Sequence, residues 1–460
     1  MSSVDLRPNL LFVFSDQHRW CDLGCYGNPD VQTPNLDHFA ATSIRFENCI
    51  SNSPVCVPAR GSLLTGLYPL RHRAITNDLP IRTDLASIAL PLNQAGYRTG
   101  YIGKWHLGGV PRDRYIPCED RLGFQKWKVC NCNHAYQNAY YYDEGNQRVE
   151  VDGYESITQT DLALEFIRQH SDNPWGLVLS WGPPHDPYFE IPQHYLDRYA
   201  DQLLSLRPNV QDLAILNRQV SLTREQVHDN YRGYYAHITA LDEQFGRLLQ
   251  VLEETGQIQN TLIVYTSDHG DMLGSQGLTN KQLPYDESIR VPLLARLPGV
   301  TLRGVTDGLI GLVDLPVSLL SLLGLCLPGL PDGQDLSRLF IQPGAKGLDA
   351  CYIFEYTACH QAVARGEREW RGLRTPRFTF ARSAVDDGLL LTDHAVDPYQ
   401  QHNLIHQPEY QDHRDKLSRK LDSFIRLYDA LLPWDELIRE FGLVDEWNRS
   451  QTYFGMPTLA

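Results

Sequence analysis

Four short apolar runs, each ending abruptly in a cluster of chemically capable polar residues, set the tightest limit on how this chain folds. They are LLFVFSDQ (10–17), RTGYIGKWH (98–106), WGLVLSWGPPH (175–185) and NTLIVYTSDHG (260–270). Runs of this kind, bounded by turn residues, suit strands buried on both faces, as in a parallel sheet. Helical stretches lie between them. In the clearest, at 224–255, Val227, Tyr231, Tyr234, Ile238, Leu241, Phe245, Leu248, Leu249 and Leu252 recur at three-to-four spacing. Thr223 and Gln226 offer a capping box at its start and Gly256 a stop at its end. Strands alternating with helices, with reactive residues at the strand ends, predict an open α/β sheet that binds its ligand outside the carboxyl ends of the strands. Asp16, Lys104, His106, His185, Asp268 and His269, far apart in the chain, are then expected to converge on one site.

The pattern changes after about residue 345. We expect a large α/β domain with a mostly parallel sheet over 1–345 and a smaller α+β subdomain over 346–460. In the latter, Cys351–Tyr356, Trp370–Arg374 and Arg377–Phe380 read as antiparallel strands, and an amphipathic helix runs from about Glu409 to Leu431. No repeat, low-complexity tract or long linker separates the two, so the small part is expected to pack directly on the large one. The run GLIGLVDLPVSLLSLLGL (308–325) is the one membrane suspect, and Asp314 and Pro316 near its middle make it a poor span. It reads better as a short strand and a buried helix, N-capped by Asp314 and closed by Gly324. LLFVF (10–14) is too short for a secretory signal and leads into charged residues, so the expectation is a soluble, cytoplasmic protein. Ten cysteines are scattered without repeating spacing. CNCNH (130–134) resembles half a zinc site, but no second Cys/His pair follows at finger spacing, and it reads as a loop with incidental cysteines. A formal net charge of −15 argues against a nucleic-acid backbone or an anionic membrane as the main partner. If the substrate is an anion, the positive charge that binds it must be local.

Asp16 and Asp268 are hard oxygen ligands with Gln17 and His269 as neutral neighbours, a set suited to one divalent metal ion with room for a substrate oxygen. Arg60, Lys104, His106, His185 and Lys281 would be the local positive charge, since such groups clamp a tetrahedral oxyanion. Taken alone, Lys281 reads as a solvated surface lysine and His185 as a residue of a Pro-rich turn. The stretch SPVCVPARGSLLTG (53–66) sets Cys56 in a Pro-bracketed loop facing Arg60. Three readings stand at this point: a buried structural cysteine, a thiolate nucleophile, or a cysteine converted into something else. The Cys-x3-Arg spacing, with a proline between, fits a phosphatase-type thiolate cradle poorly.

These segments together resemble the sulfatase family, within the alkaline-phosphatase-like superfamily of metal-dependent hydrolases. Cys56-Val57-Pro58-Ala59-Arg60, continuing to Leu64-Thr65-Gly66, matches the family's Cys-x-Pro-x-Arg signature. GYRTGYIGKWH (96–106) is similar to its second signature, and TSDHGDMLG (266–274), Lys281 and YDESIRVPLL (285–294) to its later segments. The resemblance covers roughly residues 8 to 405 and implies hydrolysis of a sulfate monoester, aryl or carbohydrate. It implies that a formylglycine-generating enzyme oxidises Cys56 to Cα-formylglycine, whose hydrated aldehyde is the nucleophile and whose second hydroxyl, once deprotonated, expels the sulfate.

The resemblance also assigns roles. One divalent ion (calcium, manganese or magnesium) would be held by Asp16, Gln17, Asp268 and His269 with residue 56. Arg60 would stabilise the hydrated aldehyde, Lys104 and Lys281 would bind sulfate oxygens, and His106 would take the proton of the second hydroxyl. His185 would bond the sulfate or assist the leaving oxygen, with Asn77 a further substrate contact. The best-known members carry Asp-Asp and Asp-Asn at the metal pairs, whereas this chain has Asp16-Gln17 and Asp268-His269. That variation is shared by bacterial sulfatases and by phosphonate or phosphodiester hydrolases, and Lys104 and His106 favour the sulfatase side. A non-catalytic module binding sulfated sugars is the reading if Cys56 stays unconverted. Substrate specificity is expected from the loops 111–150 and 187–222, where Tyr136, Tyr140, Tyr141 and Tyr142 read as packing residues rather than stacking platforms.

Overall fold

The computed structural model describes residues 7–216, 220–357 and 368–459. Ten strands form one sheet: β1 (Asn9–Asp16), β2 (Ile44–Phe46), β3 (Arg98–Lys104), β4 (Lys126–Cys130), β5 (Tyr140–Tyr142), β6 (Arg148–Glu150), β7 (Trp175–Pro184), β8 (Thr261–Ser267), β9 (Leu293–Arg296) and β10 (Gly304–Thr306). Their spatial order is β10-β2-β9-β8-β1-β7-β3-β4-β5-β6. The central five, β8, β1, β7, β3 and β4, run parallel. The four apolar runs are four neighbours of that group.

Every residue of β1, β7 and β8 is buried, which is why their sequences show no polar alternation. The pleat still separates the two faces. Leu10, Phe12 and Phe14 pack with Leu63 and Leu64 of α1 (Cys56–Thr65) and Leu315 and Leu319 of a later helix. Leu11 and Val13 pack on the opposite side, against α2 (Glu155–Gln169) and α3 (Arg224–Glu254). The α3 face is the one its periodicity predicts, carrying Tyr234, Ile238, Leu241, Phe245 and Leu248. Thr223 and Gln226 form the expected capping box, and Gly256 follows with a φ of 71°.

The run 308–325 becomes a two-residue strand, a 3-10 turn and α4 (Leu315–Leu322). Asp314 does not cap α4 with its side chain, as expected of it. Its carboxylate instead accepts from the Gly311 and Gln334 backbone N–H groups, each at 2.8 Å, because Asp314 is itself the last residue of the 3-10 turn that runs into α4. Among the described residues no helix is long and apolar enough to cross a membrane.

The C-terminal part is a four-stranded antiparallel sheet of β11 (Cys351–Glu355), β12 (Trp370–Arg374), β13 (Phe378–Arg382) and β14 (Leu390–Asp393), covered by α5 (Gln411–Tyr428). Strand β14 and the two helices Trp434–Glu440 and Val444–Tyr453 add to the elements read from the sequence. Tyr352, Phe354, Leu373 and Phe380 share a core with Leu417, Leu421 and Ile425 of α5 and with Tyr68, Leu70 and Ile75 of the large part. Two contacts tie this sheet towards the chemistry: Trp370 Nε1 donates to the Gln282 carbonyl at 2.8 Å, and Arg374 pairs with Asp286 at 2.9 Å.

Candidate active site

Because β8, β1, β7 and β3 are consecutive neighbours, their carboxyl ends set Asp268-His269, Asp16-Gln17, His185 and Lys104 side by side. At the usual inter-strand spacing, four strands span only about 15 Å. The sheet order brings distant sequence segments within bonding reach.

Helix α1 brings Cys56 to the same place. Pro58 lies in its first turn, where the missing N–H costs no helical hydrogen bond. Arg60 follows Cys56 by four residues and so shares its face. The fully buried Arg60 guanidinium reaches Asp16 at 2.9 Å, Asp268 at 3.0 Å, the Lys104 carbonyl at 2.8 Å and Ser180 Oγ at 2.6 Å. It therefore clamps the two carboxylates together beneath Cys56. Val55 gives α1 no side-chain cap, and Asn77 supplies one from a separate loop, its Oδ1 accepting from the Val57 N–H at 3.1 Å. The expected substrate contact Asn77 thus holds the Cys56 helix.

The Cys56 sulfur lies 3.2 Å from His269 Nε2 and 3.8 Å from Asp16 Oδ1. Burial alone raises a thiol, but Lys281, His269 and Lys104 hold the Cys56 thiol well below its ordinary range. Asp16, against its own burial and the Cys56 charge, is held low by Lys104, His185 and Arg60. Asp268 is pushed up, by burial and then by Asp16. Two buried carboxylates competing in this way leave an opening for a cation. Asp16, Cys56, Asp268 and His269 each offer one ligand atom, all within 4.8 Å of one another, and two hard oxygens with an imidazole suit one divalent ion. Gln17, also expected as a ligand, turns at a φ of 68°, and its amide oxygen accepts from Lys281 Nζ at 2.5 Å. Its amide nitrogen donates to Asp271 at 2.7 Å.

Lys104 Nζ sits 2.6 Å from Asp16 Oδ2, and Lys281 Nζ sits 2.7 Å from His185 Nε2. His106 lies in the left-handed region (φ 58°), its backbone N–H donating to the Asn131 carbonyl at 2.5 Å. Its ring is buried 3.5 Å from Asp78. Burial lowers the imidazole, but Cys132, Asp78 and Cys56 raise it to about 10. Gln17, Asp78 and His106 all hold positive φ here, at a cost of about 1–3 kcal/mol each.

The geometry also recruits residues that the sequence reading passed over. Asp78 binds Arg112 through both carboxylate oxygens at 2.8 Å while facing His106. Cys132 is buried, and the charges of His106, Lys104 and Arg112 overcome its burial to hold the thiol well below its usual range. His134 Nε2 lies 3.3 Å from Lys104 Nζ. So the CNCNH stretch is not an incidental loop, since it brings His134 to Lys104. It begins on Cys130, the last residue of β4, the fifth parallel strand, and KWKVC (126–130) carries the period-two signal that would have exposed it. Tyr136 is packed inside, donating to the His185 carbonyl at 2.8 Å, as a structural residue should.

A family model described as Sulfatase matches residues 8–325, and one described as N-sulphoglucosamine sulphohydrolase, C-terminal, matches 274–426. The chain is 35% identical over 446 residues to an ulvan-active sulfatase of Formosa agariphila, covering 95% of this chain and 85% of that one. It is 28% identical to an N-acetylglucosamine-6-O-sulfatase of Bacteroides thetaiotaomicron, covering 92% and 87%. The solved structure of BT4656 with its substrate D-glucosamine-2-N,6-O-disulfate superposes with a TM-score of 0.80 at 25% identity, over 92% of this chain and 98% of that one.

Proposed function

The chain belongs to the sulfatase family and hydrolyses sulfate esters, and on that premise we propose which residues do so and on what substrate. The observation that carries the assignment is the pair of buried lysines, Lys104 and Lys281, whose charges both act on the Cys56 sulfur. We read the encoded thiol at Cys56 as the precursor of Cα-formylglycine. That group supplies a hydrated aldehyde, one hydroxyl to attack sulfur and a second to release the sulfate. Asp16, Asp268, His269 and residue 56, with the Gln17 amide beside them, would hold a divalent ion, which would supply positive charge at the nucleophile.

The remaining work belongs to this chain's side chains. Lys104 and Lys281 bind two sulfate oxygens from either side and stabilise the charge that develops on them. Arg60 keeps Asp16 and Asp268 in register beneath residue 56. His106, oriented by Asp78, takes the proton at release; the role needs the neutral imidazole, which conversion of Cys56 favours by removing one of the groups that raise it. His185 Nδ1 faces the Asp186 carbonyl at 2.7 Å, which points Nε2 at Lys281 and the incoming ester. We take the ester to be a sulfated carbohydrate, on the strength of the sugar sulfates that two relatives take. Cytoplasmic residence belongs to the same proposal and rests on the cysteines, all free among the described residues.

The test compares an activated aryl sulfate with the matching phosphonate monoester and phosphodiester. The sulfate is expected to turn over fastest, and Lys104→Ala and Lys281→Ala to lower its rate by about 10²-fold or more. A phosphonate or diester preference, with sulfate turnover indifferent to both lysines, overturns the assignment.

A further inference from the structure

The two sulfate-facing lysines are held in matching ways, and one of the groups that holds them has no role so far. A lysine ammonium is a point charge with three N–H donors on a flexible stem. In Lys281, two donors face Gln17 Oε1 at 2.5 Å and His185 Nε2 at 2.7 Å. In Lys104, two donors face Asp16 Oδ2 at 2.6 Å and His134 Nε2 at 3.3 Å. Each ammonium is left one donor in a fixed direction. The two imidazoles are also joined, since the His134 and His185 rings stack with centroids 4.5 Å apart and planes 11° from parallel. A chain of contacts thus runs from Asp16 through Lys104, His134, His185 and Lys281 to Gln17, linking the carboxyl ends of four strands.

His134 is carried on a pinned turn. The Asn131 carbonyl accepts from the His106 N–H, the Cys132 N–H donates to the Arg112 carbonyl at 3.1 Å, and Asn133 Oδ1 accepts from the Ala135 N–H at 3.1 Å. A histidine accepts a hydrogen bond at Nε2 only when neutral. Burial, followed by the charge of Lys104, pushes the His134 imidazole down to about 4 against the pull of Cys132.

We propose that His134 is a positioning residue for sulfate-ester cleavage, fixing the Lys104 ammonium as His185 fixes that of Lys281. The stacked imidazole pair sets the distance between the two ammoniums, and with it the size of anion accepted. The inference rests on the sulfate-ester reading of the site.

The experiment measures kcat and KM on an activated aryl sulfate for wild type, His134→Ala, His134→Gln and His134→Phe, with thermal melts as controls for folding. Glutamine keeps an acceptor without the ring, and phenylalanine keeps the stack without the acceptor. His134→Ala is expected to lower kcat/KM by about ten- to a hundredfold, chiefly through kcat. His134→Gln should retain more activity than His134→Phe. In a Lys104→Ala background the His134→Ala change should cost no more than about twofold, because its effect is transmitted through that lysine. Near-wild-type rates in His134→Ala, equal loss in both backgrounds, or a phenylalanine variant better than the glutamine one overturns the proposal. Should His134→Ala fail to fold, the glutamine and phenylalanine variants decide. A wild-type enzyme that cleaves no sulfate ester defeats the reading of the site instead. Calorimetric binding of inorganic sulfate, in the same variants and backgrounds, then tests His134 by itself.

Discussion

The two largest sheets of the molecule both bury charge, but in opposite ways. In the C-terminal sheet the two fully buried arginines each hold a carboxylate through both of its oxygens: Arg371 with Asp429 at 2.5 Å and Arg374 with Asp286 at 2.9 Å, the latter carboxylate also facing Arg290 at 3.5 Å. At the carboxyl ends of the large sheet, Arg60 is shared between Asp16 and Asp268, and Lys104 leans on the same Asp16. In the small sheet each of these arginine charges is matched by a carboxylate of its own. The large sheet leaves its site unbalanced, with one carboxyl pushed up and another held down. Balanced buried pairs hold a structure in one arrangement, whereas unbalanced ones are where ligands, metals and chemistry enter.

This contrast can be broken from either side. The largest effect is expected at the centre: Cys56→Ala should abolish turnover while leaving the melting temperature close to wild type. Expressed with a formylglycine-generating system, the wild-type peptide bearing residue 56 should react with hydrazide reagents. A fully active preparation whose mass spectrum shows only cysteine there would contradict the mechanism. Next comes the metal. Asp268→Ala should reduce the bound divalent ion, measured by elemental analysis, and chelation should remove activity from the wild type. Full activity in metal-free protein would end that assignment.

On the other side, Arg374→Ala leaves Asp286 buried with less compensation and should cost about 3–5 kcal/mol of stability. Its effect on kcat for the protein that remains folded should be small, and denaturant melts beside initial rates separate the two. Burial would raise the Asp286 carboxyl, but Arg374, His394 and Arg290 hold it well below the usual range. A depressed folded pKa contributes stability above the unfolded value and loses it as pH falls towards the folded one. The melting gap between wild type and Arg374→Ala should therefore narrow below about pH 4. The smallest effect is at the surface: Arg82 and Asp84 pair at 2.6 Å with 43% and 68% of their side chains exposed, so Arg82→Ala should leave both rate and melting unchanged.

Much of this was legible in the chain. The parallel core was, because strands covered on both faces must be apolar at every position, and that leaves four unmistakable runs. The relation of Cys56 to Arg60 was not, because the stretch reads as a Pro-bracketed loop, whereas Cys56 opens helix α1, in which a spacing of four brings two side chains to one face. The ends of β1, β3, β7 and β8 followed from the general rule for open α/β sheets. By contrast, β4 hides behind Lys126 and Lys128, which keep its run from reading as fully apolar, so the residues at its end were passed over.

The sequence by itself singled out the residues to which the proposal gives chemistry: two aspartates, a cysteine and two lysines, each marked by a strand end or a short motif. The tertiary structure decided who holds whom. That Asn77 caps α1, that Gln17 and His185 share Lys281, that Asp78 faces His106, and that His134 stacks on His185 all depend on the order of strands in the sheet. The physical reason is one of range. Periodicity and capping are local and are written within a few residues, whereas strand order is set by the packing of whole faces. Only that order places the end of β4 beside the end of β3, and so a loop that looked incidental beside the lysine it holds.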